Sequence, residues 1–341
     1  MKTTMFLAMM FALLGALSPA CSADRDDNGG DGDTDGDTDG DTDGDGDTDS
    51  YTGPPNQGCT KMDILFVIDD SGSMGCEQSM LAQAFPQFIE VIEQYNQDQG
   101  NNLSYRLGVT ATSRTLHYII DLPLGFPDMN MNETGLNGEL VEASGLNWID
   151  GPGNQSEIVS WFTEAASVGT GGTSYEMPLQ CLALALAKDQ PGEANEGFLR
   201  EESLFITVLI TDEDDCSRID NDFTIPDDHC MSDPVAHNLV DLQEYKDFLD
   251  ERFGGEDRYV VVTIAGLNGC DASGYPTTCD EDSSYAGAME AERLQDFMNN
   301  YVGTETDDNG LFSDICANTM TDALQAALEK MTVACDEYPV Y

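Results

Sequence analysis

Apolar positions along this chain follow two rhythms. Asp63–Ile68 (DILFVI), Leu204–Thr211 (LFITVLIT) and Tyr259–Ala265 (YVVVTIA) are short, nearly continuous apolar runs with polar residues on either side. Such runs predict strands covered on both faces, as in a parallel sheet. Ser104–Ala111 and Leu116–Leu122 read as two further strands. Between these runs the spacing shifts to three and four. Leu81, Ala84, Phe85, Phe88, Ile89 and Ile92 would share one face of a helix over Ser79–Gln94. The same spacing predicts helices over Glu157–Val168, Ser174–Lys188, Leu239–Phe253, Ala286–Tyr301 and Ser313–Val333. A Thr-Ser pair would open the second of these, with Glu176 in its first turn. Strands alternating with helices predict an α/β fold: a doubly wound, mostly parallel sheet with helices on both faces.

The rhythm starts only near Gly58, and what precedes it has another character. Met5–Leu17 is a thirteen-residue apolar run after Lys2. It is too short to span a bilayer and suits an export signal. Ala20-Cys21 resembles a lipoprotein cleavage site with Cys21 as the lipidated residue, although Ser18 stands where leucine is usual. Ordinary cleavage after Ala20 or Ala23 is the alternative. A lipid on Cys21 would anchor the chain without a membrane helix. Asp24–Ser50 holds 13 aspartates and one arginine, largely as Asp-Gly-Asp-Thr, with no apolar residue to form a core. Asp31-Gly-Asp-Thr-Asp-Gly matches the start of a calcium loop, but the twelfth position is Thr42 where a bidentate acid is needed. A solvated, self-repelling tether is the reading that fits. The organisation expected is a signal over 1–21, an acidic linker over 22–57, one domain over 58–336 and a tail over 337–341.

Charge sharpens this picture. The 341 residues carry 13 basic and 65 acidic side chains, a net −52. From residue 51 onward there are still 52 acidic and 11 basic side chains, so the domain is acidic in its own right. That excludes nucleic acid and anionic membrane surfaces as electrostatic partners and favours cations.

Ligands of doubly wound sheets sit beyond the carboxyl ends of the strands. After Ile68 come Asp69-Asp70-Ser71-Gly72-Ser73, and after Ile210 come Thr211-Asp212-Glu213-Asp214-Asp215. Between them, Gly171-Gly172-Thr173 precedes a helix. Asp69-x-Ser71-x-Ser73, then Thr173, then Asp212 resembles the metal-ion-dependent adhesion site of von Willebrand factor type A domains. The resemblance spans about residues 60–335, with the predicted elements in matching order. It implies a divalent ion, Mg²⁺ or else Mn²⁺ or Ca²⁺, held by Asp69, Ser71, Ser73, Thr173 and Asp212. It further implies a protein partner whose carboxylate completes the ion's shell. The chemistry agrees: hard cations take oxygen donors, and two carboxylates among three hydroxyls leave the ion short of negative charge. Asp70, Glu213, Asp214 and Asp215 crowd the same rim, as a solvated acidic border or a second cation site. Asp128 and Glu133 lie in a long connection between Leu122 and Gly153, an insertion that would shape partner choice or simply run over the surface.

An enzyme is not expected. Asp69-Asp70-Ser71 lacks the second aspartate of phosphatases that begin Asp-x-Asp. Ser71 lies outside any Gly-x-Ser-x-Gly. His117, His229 and His237 belong to no metal or nucleophile motif, and no zinc pattern is present. Ten cysteines in an exported chain read as disulfides. Cys59–Cys335 would clasp the domain ends, Cys216–Cys230 and Cys270–Cys279 would close loops, and Cys76–Cys181 would brace the metal site. Cys316 is then left over, or displaces Cys270 or Cys279. The function expected is metal-dependent binding or adhesion at the cell envelope, outer-membrane or surface anchored, otherwise periplasmic or secreted. The alternatives are an envelope assembly component whose ion only braces loops, and a calcium-responsive matrix protein using the aspartate repeat.

Overall fold

The computed structural model describes residues 58–339, except 99, 101, 123–125, 226–237, 272–286, 306–307 and 318. The chain divides into 1–51 and 52–341, and everything described belongs to the second unit. The expected signal, Cys21 and the aspartate linker lie outside the described residues, as do Cys230, Cys279, His229 and His237.

The central sheet has six strands: β1 (Lys61–Ile68), β2 (Ser104–Ala111), β5 (Trp148–Gly151), β6 (Leu204–Ile210), β8 (Tyr259–Ala265) and β11 (Gly310–Asp314). Their spatial order is β11-β8-β6-β1-β2-β5. All pairs are parallel except β2 with β5. The continuous apolar runs follow from burial on both faces. Ile64, Phe66 and Ile68 of β1 enter one core with α1 (Gly75–Asp98), α2 (Gln155–Ala165) and α6 (Met320–Glu337). Leu65 and Val67 enter the other, with α3 (Pro178–Ala187), α4 (Leu242–Phe253) and α5 (Glu292–Phe297). Phe66 sits edge-on to Phe85, Phe88 and Phe162, which fastens α1 and α2 to one face of the sheet.

Several expectations need correction. The segment predicted as a strand over Leu116–Leu122 is β3 (Leu116–Ile120), and it leaves the central sheet. It joins β4 (Met129–Glu133) and β7 (Asp222–Ile225) in a small sheet ordered β4-β3-β7. Its buried residues Leu116 and Tyr118 find their apolar partners there, with Tyr118 stacked on Phe223 and edge-on to Tyr175. The short, antiparallel β5 takes the sheet edge instead. The long connection 122–153 therefore carries two strands.

Helix α3 starts at Pro178, not at Ser174. Its cap residue Met177 gives no side-chain bond, and proline at the first position sets the helical φ. The helix predicted over Ala286–Tyr301 begins only at Glu292. Ahead of it Gly287–Ala288 (β10) pairs with Cys270–Asp271 (β9), and a π-turn over Met298–Val302 follows it. The helix predicted over Ser313–Val333 is β11 and then α6, capped by Thr319.

Cys59 and Cys335 are bonded, as expected, and join the domain's ends across 276 residues. Cys270 pairs with Cys316, not with Cys279. Cys181 is a free, fully buried thiol, so Cys76–Cys181 does not form. Cys76 and Cys216 are both disulfide-bonded. Among the described residues no helix is long and apolar enough to cross a membrane.

Candidate metal centre

The strand order reverses between β1 and β6: the chain steps outward from β1 through β2 in one direction and from β6 through β8 in the other. Loops leaving two such neighbours diverge and open a crevice at their carboxyl ends. Asp69 follows β1 and Asp212 follows β6, so both lie at that reversal. Asp69 is held by the sheet itself, since its N–H donates to the Ile210 carbonyl at 2.9 Å.

Each aspartate has a distinct setting. Asp69 is fully buried. Its Oδ1 accepts from the Ser71 N–H at 2.7 Å and its Oδ2 from the Thr211 hydroxyl at 2.6 Å. Asp212 is 2% exposed, and its Oδ1 has no hydrogen-bond partner among the described residues. Ser73 offsets part of the burial cost of the Asp212 carboxylate. The Ser71 and Ser73 hydroxyl oxygens are 3.0 Å apart. Thr173 arrives from the far side of the crevice, because the Gly172 N–H donates to the Asp70 carbonyl at 2.7 Å. A Cβ on Gly172 would lie 2.4 Å from Asp70 Cγ, so only glycine permits this approach. The Thr173 hydroxyl donates to the Tyr175 carbonyl at 3.2 Å. All five predicted residues thus stand at one end of the sheet.

The rim acids divide differently from the solvated border anticipated. Asp70 is 8% exposed and accepts from the Ser113 hydroxyl at 2.7 Å, which fixes the first loop against the end of β2. Asp214 accepts from the N–H groups of Arg293 and Leu294 at the start of α5. Asp215 is buried and pairs with Arg293 at 2.9 Å. These two anchor a helix rather than face solvent. Glu213, half-buried like Asp214, lies beside the site, where its charge helps raise the Glu176 carboxyl. Asp128 is exposed ahead of β4, whereas Glu133 accepts from the Ser174 N–H and hydroxyl at 2.9 and 2.8 Å. The insertion therefore supports the loop that carries Thr173. His117 is half-buried, and its Nδ1 lies 3.0 Å from Asp222 Oδ1.

Sequence reading overlooked three supports. Gln78, in the first turns of α1, donates to the carbonyls of Asp69 and Gly169 and so joins the first and second loops. Glu77 and Glu176 are buried acids: the charge of Glu77 bears on Asp212, and Glu176 itself feels the charge of Asp69. Glu176 had a weak signal: it was assigned to a helix's first turn, but that helix begins two residues later.

The electrostatics are those of buried acids placed close together. Burial lifts the Asp69 carboxyl to about 7 despite the bonds from Thr211 and Ser71. Burial, and then the charge of Asp69, lifts Asp212 to about 8. Burial pushes Glu176 well above the carboxylate range, helped by Asp69 and Glu213. Among the described residues no lysine or arginine pairs with Asp69 or Asp212. Nor does any group of three or more His, Cys, Asp or Glu form a cage for a metal by itself. The donor set is mixed: two carboxylates with hydroxyls beside them, which suits a hard divalent ion. An unpaired buried carboxylate oxygen also calls for a partner. The residues present therefore fit the ion that the motif implies.

No family model matches the chain, and no curated protein matches it. Solved structures do. Proximal thread matrix protein 1 of the mussel byssus is 11% identical, with a TM-score of 0.40, over 81% of this chain and 49% of that one. Another structure of that protein is described as having a zinc-occupied MIDAS motif. The pilus adhesin SpaC of Lactobacillus rhamnosus GG is 17% identical, with a TM-score of 0.39, over 81% of this chain and 30% of that one. The SpRpn10 VWA domain is 9% identical, with a TM-score of 0.34, over 78% of this chain and 94% of that one. This chain spans about half of the mussel protein and under a third of the adhesin. The fold rests on this chain's own features: a doubly wound, mostly parallel sheet with one antiparallel edge strand among the described residues, and three loops brought to one crevice.

Proposed function

We propose that the chain is an exported binding protein that engages a partner through a divalent ion at Asp69, Ser71, Ser73, Thr173 and Asp212. One observation carries this reading: the buried Asp212 Oδ1, without a partner among the described residues, near a serine pair at the point where the strand order reverses. The ion, Mg²⁺ by preference or Mn²⁺ or Ca²⁺, would supply a Lewis-acidic position for a partner's carboxylate. This chain's residues do the remaining work. Asp69 fixes the first loop through Ser71 and Thr211, Gly172 brings Thr173 close, and Asp212 offers the free carboxylate oxygen. The role is binding, without a catalytic step. The disulfides support export, since such bonds persist in oxidising compartments. Lipidation at Cys21 would hold the domain at the envelope on its acidic tether, with the membrane touched only through that lipid.

Titrating Mg²⁺ or Mn²⁺ into the wild-type chain and into Asp69→Ala tests the site. The wild type should bind one ion with the variant at least tenfold weaker, and equal binding by both refutes the site. A second reading, in which the ion only braces the loops of an envelope assembly component, is favoured by Asp69 having both oxygens already bonded within the chain. Chelation would then lower stability while leaving partner affinity unchanged.

A further inference from the structure

The small sheet places an unpaired strand edge beside this site. Strand β4 pairs only with β3 among the described residues. The direction of its free groups follows from the register. The His117 N–H donates to the Asn221 carbonyl, toward β7. Backbone groups alternate sides along a strand, so Leu116, Tyr118 and Ile120 point theirs toward β4. Their partners there are Glu133, Met131 and Met129. The N–H and C=O groups of Asn130 and Asn132 therefore point away from the sheet. Both residues are exposed, and Met129 beside them is 38% exposed.

Edges are commonly blunted by lysine, proline or an inward charge. Met129–Glu133 (MNMNE) has none of these, because its one charge, on Glu133, is occupied by Ser174 and Tyr118. Those same bonds end the strand at the loop that carries Thr173. A second copy of this chain is a poor occupant, since each copy brings a strongly acidic domain, and the repulsion opposes pairing.

We propose that the edge of β4 receives an extended segment of the partner polypeptide, free of net negative charge, which pairs with the backbone of Asn130 and Asn132 and runs toward Ser174. This rests on the metal-dependent reading above and makes the partner an added strand rather than a lone carboxylate. Main-chain pairing would give affinity, with the ion selecting an acidic side chain.

A phage-displayed random dodecapeptide library, selected on the full chain in Mg²⁺, supplies the probe, and enriched peptides are measured by fluorescence anisotropy. Asn132→Pro removes an outward N–H but no bond to β3, and should weaken binding at least tenfold relative to Asn132→Ala, which keeps that N–H. Methylating the peptide's amides one at a time should weaken binding at every second position. That arm leaves the protein intact, so it decides the matter even if the proline variant unfolds. Uniform tolerance of methylation, or equal binding by Asn132→Pro, overturns the added strand, and the metal reading then stands or falls on Asp69→Ala alone. Binding lost in Asn132→Pro but kept in Asp69→Ala supports the edge and overturns the metal reading. Failure to enrich any peptide, or a dimer in sedimentation that Asn132→Pro abolishes, overturns the proposal.

Discussion

Replacing Asp212 with asparagine gives a measurable reversal of stability. The substitution keeps shape and removes charge from a buried carboxyl held at about 8. An ordinary aspartate sits near 3.8, and the difference corresponds to roughly 5 kcal/mol of native-state cost when the group is ionised at pH 8. At pH 5 the native carboxyl is still protonated, and the cost is only about 2 kcal/mol. Because the folded value is raised, stability in chelator is highest at low pH and is lost as pH rises from about 4 through about 8. Asp69 contributes in the same direction and is present in both proteins, so the quantity to read is the gap between variant and wild type. In chelator Asp212→Asn should be the more stable protein, and its advantage should grow by roughly 3 kcal/mol from pH 5 to pH 8. Mg²⁺ should act the other way. An ion at about 100 times its dissociation constant adds about 2.7 kcal/mol to the wild type, and much less to a variant that has lost a ligand and a charge. Urea denaturation at the two pH values, with EDTA and with Mg²⁺, measures both effects. A gap that does not change with pH, or an equal response of the two proteins to Mg²⁺, refutes the reasoning.

Three other outcomes follow from the same geometry. Gly172→Ala should cost about 2 kcal/mol of stability, since its Cβ would collide with Asp70, whereas Gly171→Ala, with nothing within 4 Å, should be near neutral; thermal melts of the pair compare them directly. Glu133→Ala removes the bonds to Ser174 and Tyr118, and should lower Mg²⁺ affinity about tenfold in calorimetry while leaving the fold intact. Cys335→Ser opens a link spanning 276 residues, and should cost on the order of 5 kcal/mol in denaturant unfolding.

How far the sequence was legible depended on how local each signal is. Phe66 and Val67 are adjacent and both buried, in opposite cores, and that alone makes β1 an uninterrupted apolar run. Strands β6 and β8 announce themselves for the same reason. The edge strand β5 has only one of its four residues buried and Asp150 bonded to Arg106, so its pattern differs little from a loop. Strand β3 looked like a sheet strand because its apolar positions are those of one. Which sheet it joins depends on Tyr175 and Phe223, far away in sequence.

The sequence by itself determined the layered fold, the succession of its main strands along the chain, the three loops and the five oxygen-bearing residues at their tips. Those are matters of short-range pattern, in which burial and turn chemistry repeat over a few residues. Only the tertiary structure decided the rest: that Gln78 ties two loops together, that Glu77 and Glu176 are buried behind the aspartates, and that Asp214 and Asp215 hold α5. It also decided that Cys270 bonds Cys316, and that the chain after β2 turns out of the main sheet. Each of these depends on which distant segments pack together. Packing sets burial, and burial decides whether a given acid is a solvated charge, an anchor or part of a cation's cradle.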